Sequence, residues 1–457
     1  MYTTDDHAPA FPLRKLPVAR SRGKVVLATI GSLGDVFPFV AIGKILKARG
    51  FDVLLCVPAS HLDMVRSAGL DGVAIMPAFD EIWQAMGLTE AEAVRKIVED
   101  QDFMIRDIAI PAMEASLLPL KRACADADLI VASLFALAAP LVAEILDIPL
   151  IPALLQPMTL FSAYDPPIGQ KFGTIATQGG NRWTRVWNRT CFGVIRTEMR
   201  RRYGRPINRI RRENGLAPQR STPILDQEVE PMLRLGLYPA FLAPSQPDFP
   251  ANFVHTGFPA FDGTCETALS REVEAFLSAG PAPLVFTLGS LVTGAPEKFY
   301  GESIALARRL GMRALLLGSD IPAPKDKGIC SIAYAPHSLI FPRAAAIVHH
   351  GGIGTTGQAL RAARPQLIVP RLADQRDNGA RLERLGIGRV LSWKRYSAAN
   401  AAPVVTALLE NPDVERRAVI LGAELRAQNG AASAVDAIES ALAGSHASPQ
   451  PSHLSMV

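Results

Sequence analysis

Between Tyr334 and Gln375 the chain carries its densest run of residues able to do chemistry. An apolar run ends in His349-His350, the turn and helix pattern GGIGTTGQAL follows, then the apolar run PQLIVP, and the block closes on Asp374-Gln375. A glycine turn leading from a strand into a helix exposes backbone N–H groups at the positive end of the helix dipole, which favours a phosphate or diphosphate. Thr355 and Thr356 add hydroxyl donors, and His350, neutral or protonated, can donate to a phosphate oxygen. Gly352-Ile-Gly354-Thr-Thr-Gly357 also has the GxGxxG form, with Asp374 22 residues after Gly352. A dinucleotide-dependent oxidoreductase is therefore one alternative, and a structural glycine turn is another. Against the first, the motif comes late, behind two histidines, while the first βα turn of the chain, Gly31–Gly34, lacks it.

These residues need strands to hold them. Short β-rich runs at Lys24–Ile30, Asp52–Val57, Gly72–Met76, Asp128–Ser133 and Pro149–Leu154 alternate with helical patterns. A second series begins at Pro283, with runs at Leu284–Thr287, Ala314–Leu317, Ser331–Tyr334, Ala344–His349, Gln366–Val369 and Val390–Trp393. Strands with little alternation, separated by helices, predict parallel sheets covered on both faces. The expected organisation is a flexible leader over 1–22, an α/β domain over 23–250 with an elaboration at 158–220, a linker over 251–282, a second α/β domain over 283–443 and a disordered tail over 444–457. Ligands then belong in a cleft at the carboxyl ends of both sheets.

Composition bounds the class. Hydrophobic residues are 49% and charged residues 20%, which excludes a mostly disordered chain. The net charge of +5 is uneven: residues 181–220 hold twelve Arg and no Lys or Asp, against Glu198 and Glu213 alone. That window carries +10, so the remaining 36 basic and 41 acidic residues leave −5. A nucleic-acid binder spreads its surplus more widely, and no nucleic-acid partner is expected. The five cysteines (56, 124, 191, 265, 330) are scattered and lack CxxC spacing, which fits a reducing, cytoplasmic setting. The longest uncharged apolar stretch, Leu129–Ala143, is too short to span a bilayer and reads as a buried strand and helix. Asp126-Ala-Asp128 has the form of a metal-binding DxD pair, but two acids so spaced arise often by chance, and no metal site is expected there.

The Tyr334–Gln375 block resembles the donor-binding signature of nucleotide-sugar glycosyltransferases, the large GT-B family of plant, sterol and macrolide glucosyltransferases. Its opening Trp-Ala-Pro-Gln is matched by Tyr334-Ala335-Pro336-His337, its diphosphate turn by His349-His350-Gly351-Gly352, and its closing Asp-Gln by Asp374-Gln375. Phe286-Thr287-Leu288-Gly289-Ser290 is similar to the family's Gly-Ser phosphate loop, and Gly31–Pro38 to the first turn of its bacterial and sterol branches. A narrower resemblance is to rhamnosyltransferases of rhamnolipid synthesis, carried by IGSLGDVFPF (30–39), TGFPAFDG (256–263), PLVFTLGS (283–290) and DQRDN (374–378). His350 departs from that narrower pattern. Gln358 stands where the plant signature has Glu, and an amide has one acceptor oxygen where a carboxylate takes both ribose hydroxyls. This relaxes the demand for a 2′-hydroxyl.

The resemblance implies two facing doubly wound Rossmann-like domains, the first binding the acceptor and the second a UDP-glucose or dTDP-rhamnose type donor. It implies donor contacts from Ser290, Tyr334, His337, His349, His350, Gly352, Gly354, Thr355, Thr356, Gln358, Asp374 and Gln375, with no cofactor and no metal. Asp35 occupies the place where plant relatives carry a catalytic His, so it is the expected general base of an inverting transfer to a hydroxyl of a lipophilic acceptor. Asp35 as a helix cap is the competing reading. The arginine-rich segment is read as a solvated helical face or as a contact for an anionic membrane or an acidic acceptor.

Overall fold

The computed structural model describes residues 22–169, 179–221, 230–262, 268–289, 296–318, 321, 326–372 and 374–447. Ser290, Cys265, nearly all of the expected leader and most of the expected tail lie outside the described residues. Strands β1 (Lys24–Ala28), β2 (Asp52–Pro58), β3 (Asp71–Met76), β4 (Leu129–Ser133), β5 (Leu150–Leu154), β6 (Arg234–Gly236) and β7 (Phe253–His255) form one sheet in the order 3-2-1-4-5-6-7. Strands β8 (Leu284–Thr287), β9 (Ala314–Leu317), β10 (Ile329–Ile332), β11 (Ala346–His349), β12 (Gln366–Ile368) and β13 (Gly388–Val390) form a second, ordered 10-9-8-11-12-13. Every neighbouring pair is parallel. In each sheet the order reverses beside the first strand, between β1 and β4 and between β8 and β11. A crevice opens at such a point beyond the strand ends, and the loops after β1, β8 and β11 carry the motifs read from sequence.

Strand alternation sorts the core. Val25 and Leu27 face the helix Leu33–Ala48 through Val36, Phe39 and Val40, while Val26 and Ala28 face the opposite layer with Ile130, Leu141 and Val142. The last helix, Gly430–Ala447, crosses back: Ala434, Val435 and Ile438 pack with the first layer of the first sheet, although in sequence they follow the second series. This helix also runs four residues into the segment expected as tail.

The elaboration contains one long helix, Arg182–Glu213, capped by the Asn181 side chain on Thr184 and Trp183 N–H. Its carboxyl half docks through Tyr203, Ile207 and Ile210, one helical stripe. Arg211 is buried there and makes a bidentate pair with Glu144, both bonds 2.8 Å. Among the described residues, no helix is long and apolar enough to cross a membrane.

Candidate active site

Asp35 sits in the first turn of the helix that follows β1. Ser32, not Asp35, is the N-cap residue. The Asp35 Oδ2 accepts from the Ser32 backbone N–H at 2.8 Å and from its hydroxyl at 3.0 Å, the reciprocal half of a capping box. Both capping contacts thus fall on one oxygen of Asp35. Among the described residues, Oδ1 has only a long 3.5 Å contact, from the Gln156 amide just past β5. Burial pushes the Asp35 carboxyl above its ordinary value, against the lowering effect of Ser32 and Gln156.

The second half supplies a positively polarised counterpart. His349 ends β11 fully buried; its Nδ1 accepts from Gly351 N–H at 3.1 Å and its Nε2 lies 3.0 Å from Gln366 Oε1. Both ring nitrogens are consumed, so His349 shapes the turn rather than facing the cleft. His350 is held between Gly289 and Gly352: a Cβ on Gly289 would lie 2.6 Å from its ring, and one on Gly352 would overlap Nε2. Burial, with the neighbouring histidines, lowers His350 to about 3 against a raising backbone hydrogen bond to Thr287, so the ring is neutral, and among the described residues its buried Nδ1 has no hydrogen-bond partner. Gly351, at φ 93°, turns the chain, and Gly352 caps the helix Ile353–Arg361. Gly354 meets the first half closely, a Cβ there coming 3.4 Å from Gly34 Cα, and Gly357 accommodates the Phe258 ring. The GxGxxG spacing is therefore accounted for by one imidazole, one interdomain approach and one aromatic contact. The amino ends of two helices face each other across the crevice, an arrangement that favours an anion between them. Among the described residues, Thr356 Oγ1 is buried without a hydrogen-bond partner.

Asp374 holds the N-cap position of the helix Gln375–Leu385, with no capping hydrogen bond from its side chain. Burial first, and then the negative charge of Asp35, raise Asp374 to about 7, so the two carboxylates belong to one electrostatic site. Asn378 ties this corner together, its amide donating to Asp374 Oδ2 at 2.9 Å and to the Gly351 carbonyl at 3.0 Å. Gln375 uses its side-chain oxygen locally, accepting from Arg371 and Leu372 N–H groups at 2.8 and 3.0 Å. Sequence reading missed Gln156 and Asn378; the only signal for the latter was its place in DQRDN.

A cavity of about 320 Å³ opens along the crevice, lined by Leu33, Gly34 and Phe37 from the first half and by Gly289, Tyr334, His337, Gly354, Thr355 and Gln358 from the second. His337 stacks on Phe341 at 4.3 Å, and burial lowers it to about 4. Tyr334 is half exposed and donates its hydroxyl to the Asp262 carbonyl. His349, His350, Gly352, Thr356, Asp374, Gln375 and Asp35 are not among the cavity's lining residues. Asp126 and Asp128 both engage Lys24, the first by an ion pair with its ammonium and the second by accepting its backbone N–H at 2.7 Å.

Residues 25–164 match the model of the glycosyltransferase family 28 N-terminal domain, and residues 318–440 that of the erythromycin biosynthesis protein CIII-like C-terminal domain. The chain is 32% identical to the vancomycin aglycone glucosyltransferase of Amycolatopsis orientalis, over 90% of this chain and 96% of that one. It is 30% identical to the O-mycaminosyltylonolide 6-deoxyallosyltransferase of Streptomyces fradiae, over 91% and 97%. The solved structure of the spinosyn forosaminyltransferase SpnP superposes with a TM-score of 0.68 at 18% identity, over 93% of this chain and 100% of that one, a likeness of fold. The relatives do not favour the oxidoreductase or non-catalytic alternatives, and the chain belongs to the nucleotide-sugar glycosyltransferases of GT-B fold, of the family 28 and erythromycin CIII-like type.

Proposed function

We propose that the protein is an inverting, metal-independent hexosyltransferase that uses a UDP-glucose or dTDP-rhamnose type donor and a hydroxyl on a lipophilic acceptor. The observation that carries this reading is the half-committed carboxylate of Asp35, one oxygen held by Ser32 and the other with only a long contact from Gln156 among the described residues. Asp35 removes the acceptor hydroxyl proton as the new oxygen–carbon bond forms at the anomeric centre. The bond from that carbon to the diphosphate breaks, and its electron pair leaves with the diphosphate. The facing helix amino ends, Thr355, Thr356, Ser290 and a neutral His350 N–H stabilise that charge. His349 and the glycines 352 and 354 shape this cradle. Tyr334 and His337 take the base, Gln358 the pentose, and Asp374 and Gln375 the hydroxyls of the transferred sugar. The apolar lining from Phe37, Pro38, Leu155 and Leu237 supports a lipophilic acceptor beside the donor. As domain functions, residues 23–250 bind the acceptor and 283–443 the nucleotide sugar.

The test is a screen of both donors against a panel of hydroxyl-bearing aglycones, read by mass spectrometry and product NMR. The expected product gains one sugar with inverted anomeric configuration. A retained configuration, or binding of NAD or FAD with no response to either sugar nucleotide, contradicts the proposal.

A second feature supports cytoplasmic, peripheral contact with an anionic membrane. On the long helix Trp183, Val186, Trp187 and Val194 are exposed on one side, at 66, 50, 56 and 64%, beside exposed Arg182, Arg189 and Arg200. Aromatic and aliphatic side chains flanked by arginines suit the headgroup boundary. Sedimentation with anionic liposomes should exceed that with neutral ones; equal binding removes this contact.

A further inference from the structure

Gln358 left an open question about the donor's pentose, because its amide lacks the second acceptor oxygen that a carboxylate offers. The structure places a carboxylate beside it from a different part of the chain. Gln358 Nε2 donates to Asp262 Oδ1 at 2.8 Å, although the two residues are 96 apart in sequence. Asp262 belongs to the segment that leaves the first sheet. Phe261 in that segment meets Phe37 edge-on at 5.4 Å, Phe258 packs on Gly357, and the Tyr334 hydroxyl grips the Asp262 carbonyl. Phe37, Phe258, Phe261, Asp262, Tyr334 and Gln358 all line the same cavity.

The hydrogen bond also fixes polarity. With an N–H on Asp262, the Gln358 amide keeps its oxygen as an acceptor. Among the described residues, Asp262 Oδ2 has no partner. The pair therefore presents two acceptors, Gln358 Oε1 and Asp262 Oδ2, beside the one amide N–H that Asp262 does not take, which suits two neighbouring hydroxyls. Its place along the helix fits as well. Gln358 lies five residues beyond Ile353, about 7.5 Å along the axis from the end that faces the diphosphate. The pentose of a nucleoside diphosphate lies next to its diphosphate, and Tyr334 stands beyond it for the base.

We propose that Asp262, held by Gln358, accepts hydrogen bonds from the vicinal 2′- and 3′-hydroxyls of the donor nucleotide and makes the protein select ribonucleotides over 2′-deoxyribonucleotides. This rests on the donor-site reading above. It replaces the relaxed 2′-hydroxyl demand inferred from Gln358 alone with a definite preference. Asp262 is a specificity residue: it touches the nucleotide and not the reacting carbon.

The experiment is isothermal titration of the wild type and of Asp262→Asn with UDP and with 2′-deoxy-UDP, with melting temperatures measured alongside. The wild type should bind UDP about tenfold more tightly than 2′-deoxy-UDP, the worth of a hydrogen bond to a charged group. In Asp262→Asn the ratio should fall to within about twofold, with an unchanged melting temperature, and Asp262→Glu should restore part of it. A wild-type ratio near one, or a ratio that survives in Asp262→Asn, overturns the proposal. If the wild type binds neither UDP, 2′-deoxy-UDP nor dTDP, the donor-site reading itself fails, and this inference with it.

Discussion

Two pairs of carboxylates lie where the halves of the molecule meet, and burial acts on them alike. In the first pair, Asp35 and Asp374, no cation among the described residues answers it: both carboxyls rise, Asp374 to about 7, and the charge of Asp35 adds to the cost of ionising Asp374. In the second, burial would raise Asp165 too, but Arg381 and Arg384 override it and hold Asp165 below the usual carboxylate range. Arg381 is buried, lies 2.6 Å from Asp165 and 2.7 Å from Asp377, and Arg384 lies 2.9 Å from Asp165. Asp377 also accepts the Ile168 N–H at 2.9 Å, which fastens the loop after β5 to the helix that Asp374 begins. The second pair is a structural clasp between the halves. The first leaves two buried carboxylates uncompensated in the corner where Asp35 and Asp374 meet. Charge compensation, and not burial, separates the site from its scaffold.

The largest effect should come from removing the uncompensated base. Asp35→Asn keeps the Ser32 geometry and should retain nucleotide affinity while turnover falls by roughly 10²–10⁴-fold. Steady-state transfer assays with titration calorimetry check both halves of that statement, and near-normal turnover would mean that another group takes the proton.

The clasp should fail differently. Arg381→Met leaves Asp377 buried without its cation and Asp165 with Arg384 alone, and should cost about 3–5 kcal/mol of stability. Urea unfolding reads this directly. The loss should be greatest at neutral pH, because a lowered carboxylate contributes stability above its unfolded pKa and loses it as pH falls through the folded one. A change below about 1 kcal/mol would place the clasp among ordinary surface pairs.

A smaller effect separates the pairs by sign. Asp374 is raised to about 7, from about 3.9 in an unfolded chain. Between those values the folded chain holds a proton that the unfolded chain has released. Its contribution is complete below about pH 4 and declines as pH rises to about 7. Asp374→Asn should therefore raise the melting temperature by about 1–2 °C at pH 8 and leave it unchanged at pH 4. Equal shifts at both would show that Asp374 is not held protonated.

Much of this was legible in the chain itself. The uninterrupted apolar runs around Val25–Leu27 and Leu284–Phe286 mark strands buried on both faces, and both parallel sheets follow from them. Strand bounds drifted by two residues where polar neighbours share the run, as at Ile329–Ile332 against the expected Ser331–Tyr334. β6 and β7, three residues each, carry too few side chains for a period to register. The return of the last helix to the first sheet has no local signal, since Ala434, Val435 and Ile438 suit any apolar surface. Asp35, His350 and Asp374 could be picked out as candidates because each sits in a local motif, the first two in turns that follow strands and the third at a helix start. Gln156, Asn378, Asp262 and the clasp were not, because each gains its meaning from a partner in a distant segment. His349 looked like its neighbour until both of its nitrogens proved occupied. The +10 window resolved into a buried Arg211, several surface ion pairs and an apolar exposed end.

The central claim is that Asp35 is the base and that its environment raises its carboxyl. The pH profile of kcat/KM for sugar transfer, in wild type and Asp35→Asn, tests it most directly. The wild type should lose activity on its acid limb at a pH above the ordinary carboxylate range of about 4, because the base must be ionised to act. That limb should be missing from the residual activity of Asp35→Asn. A wild-type limb at about 4, or the same raised limb persisting in Asp35→Asn, would contradict the account.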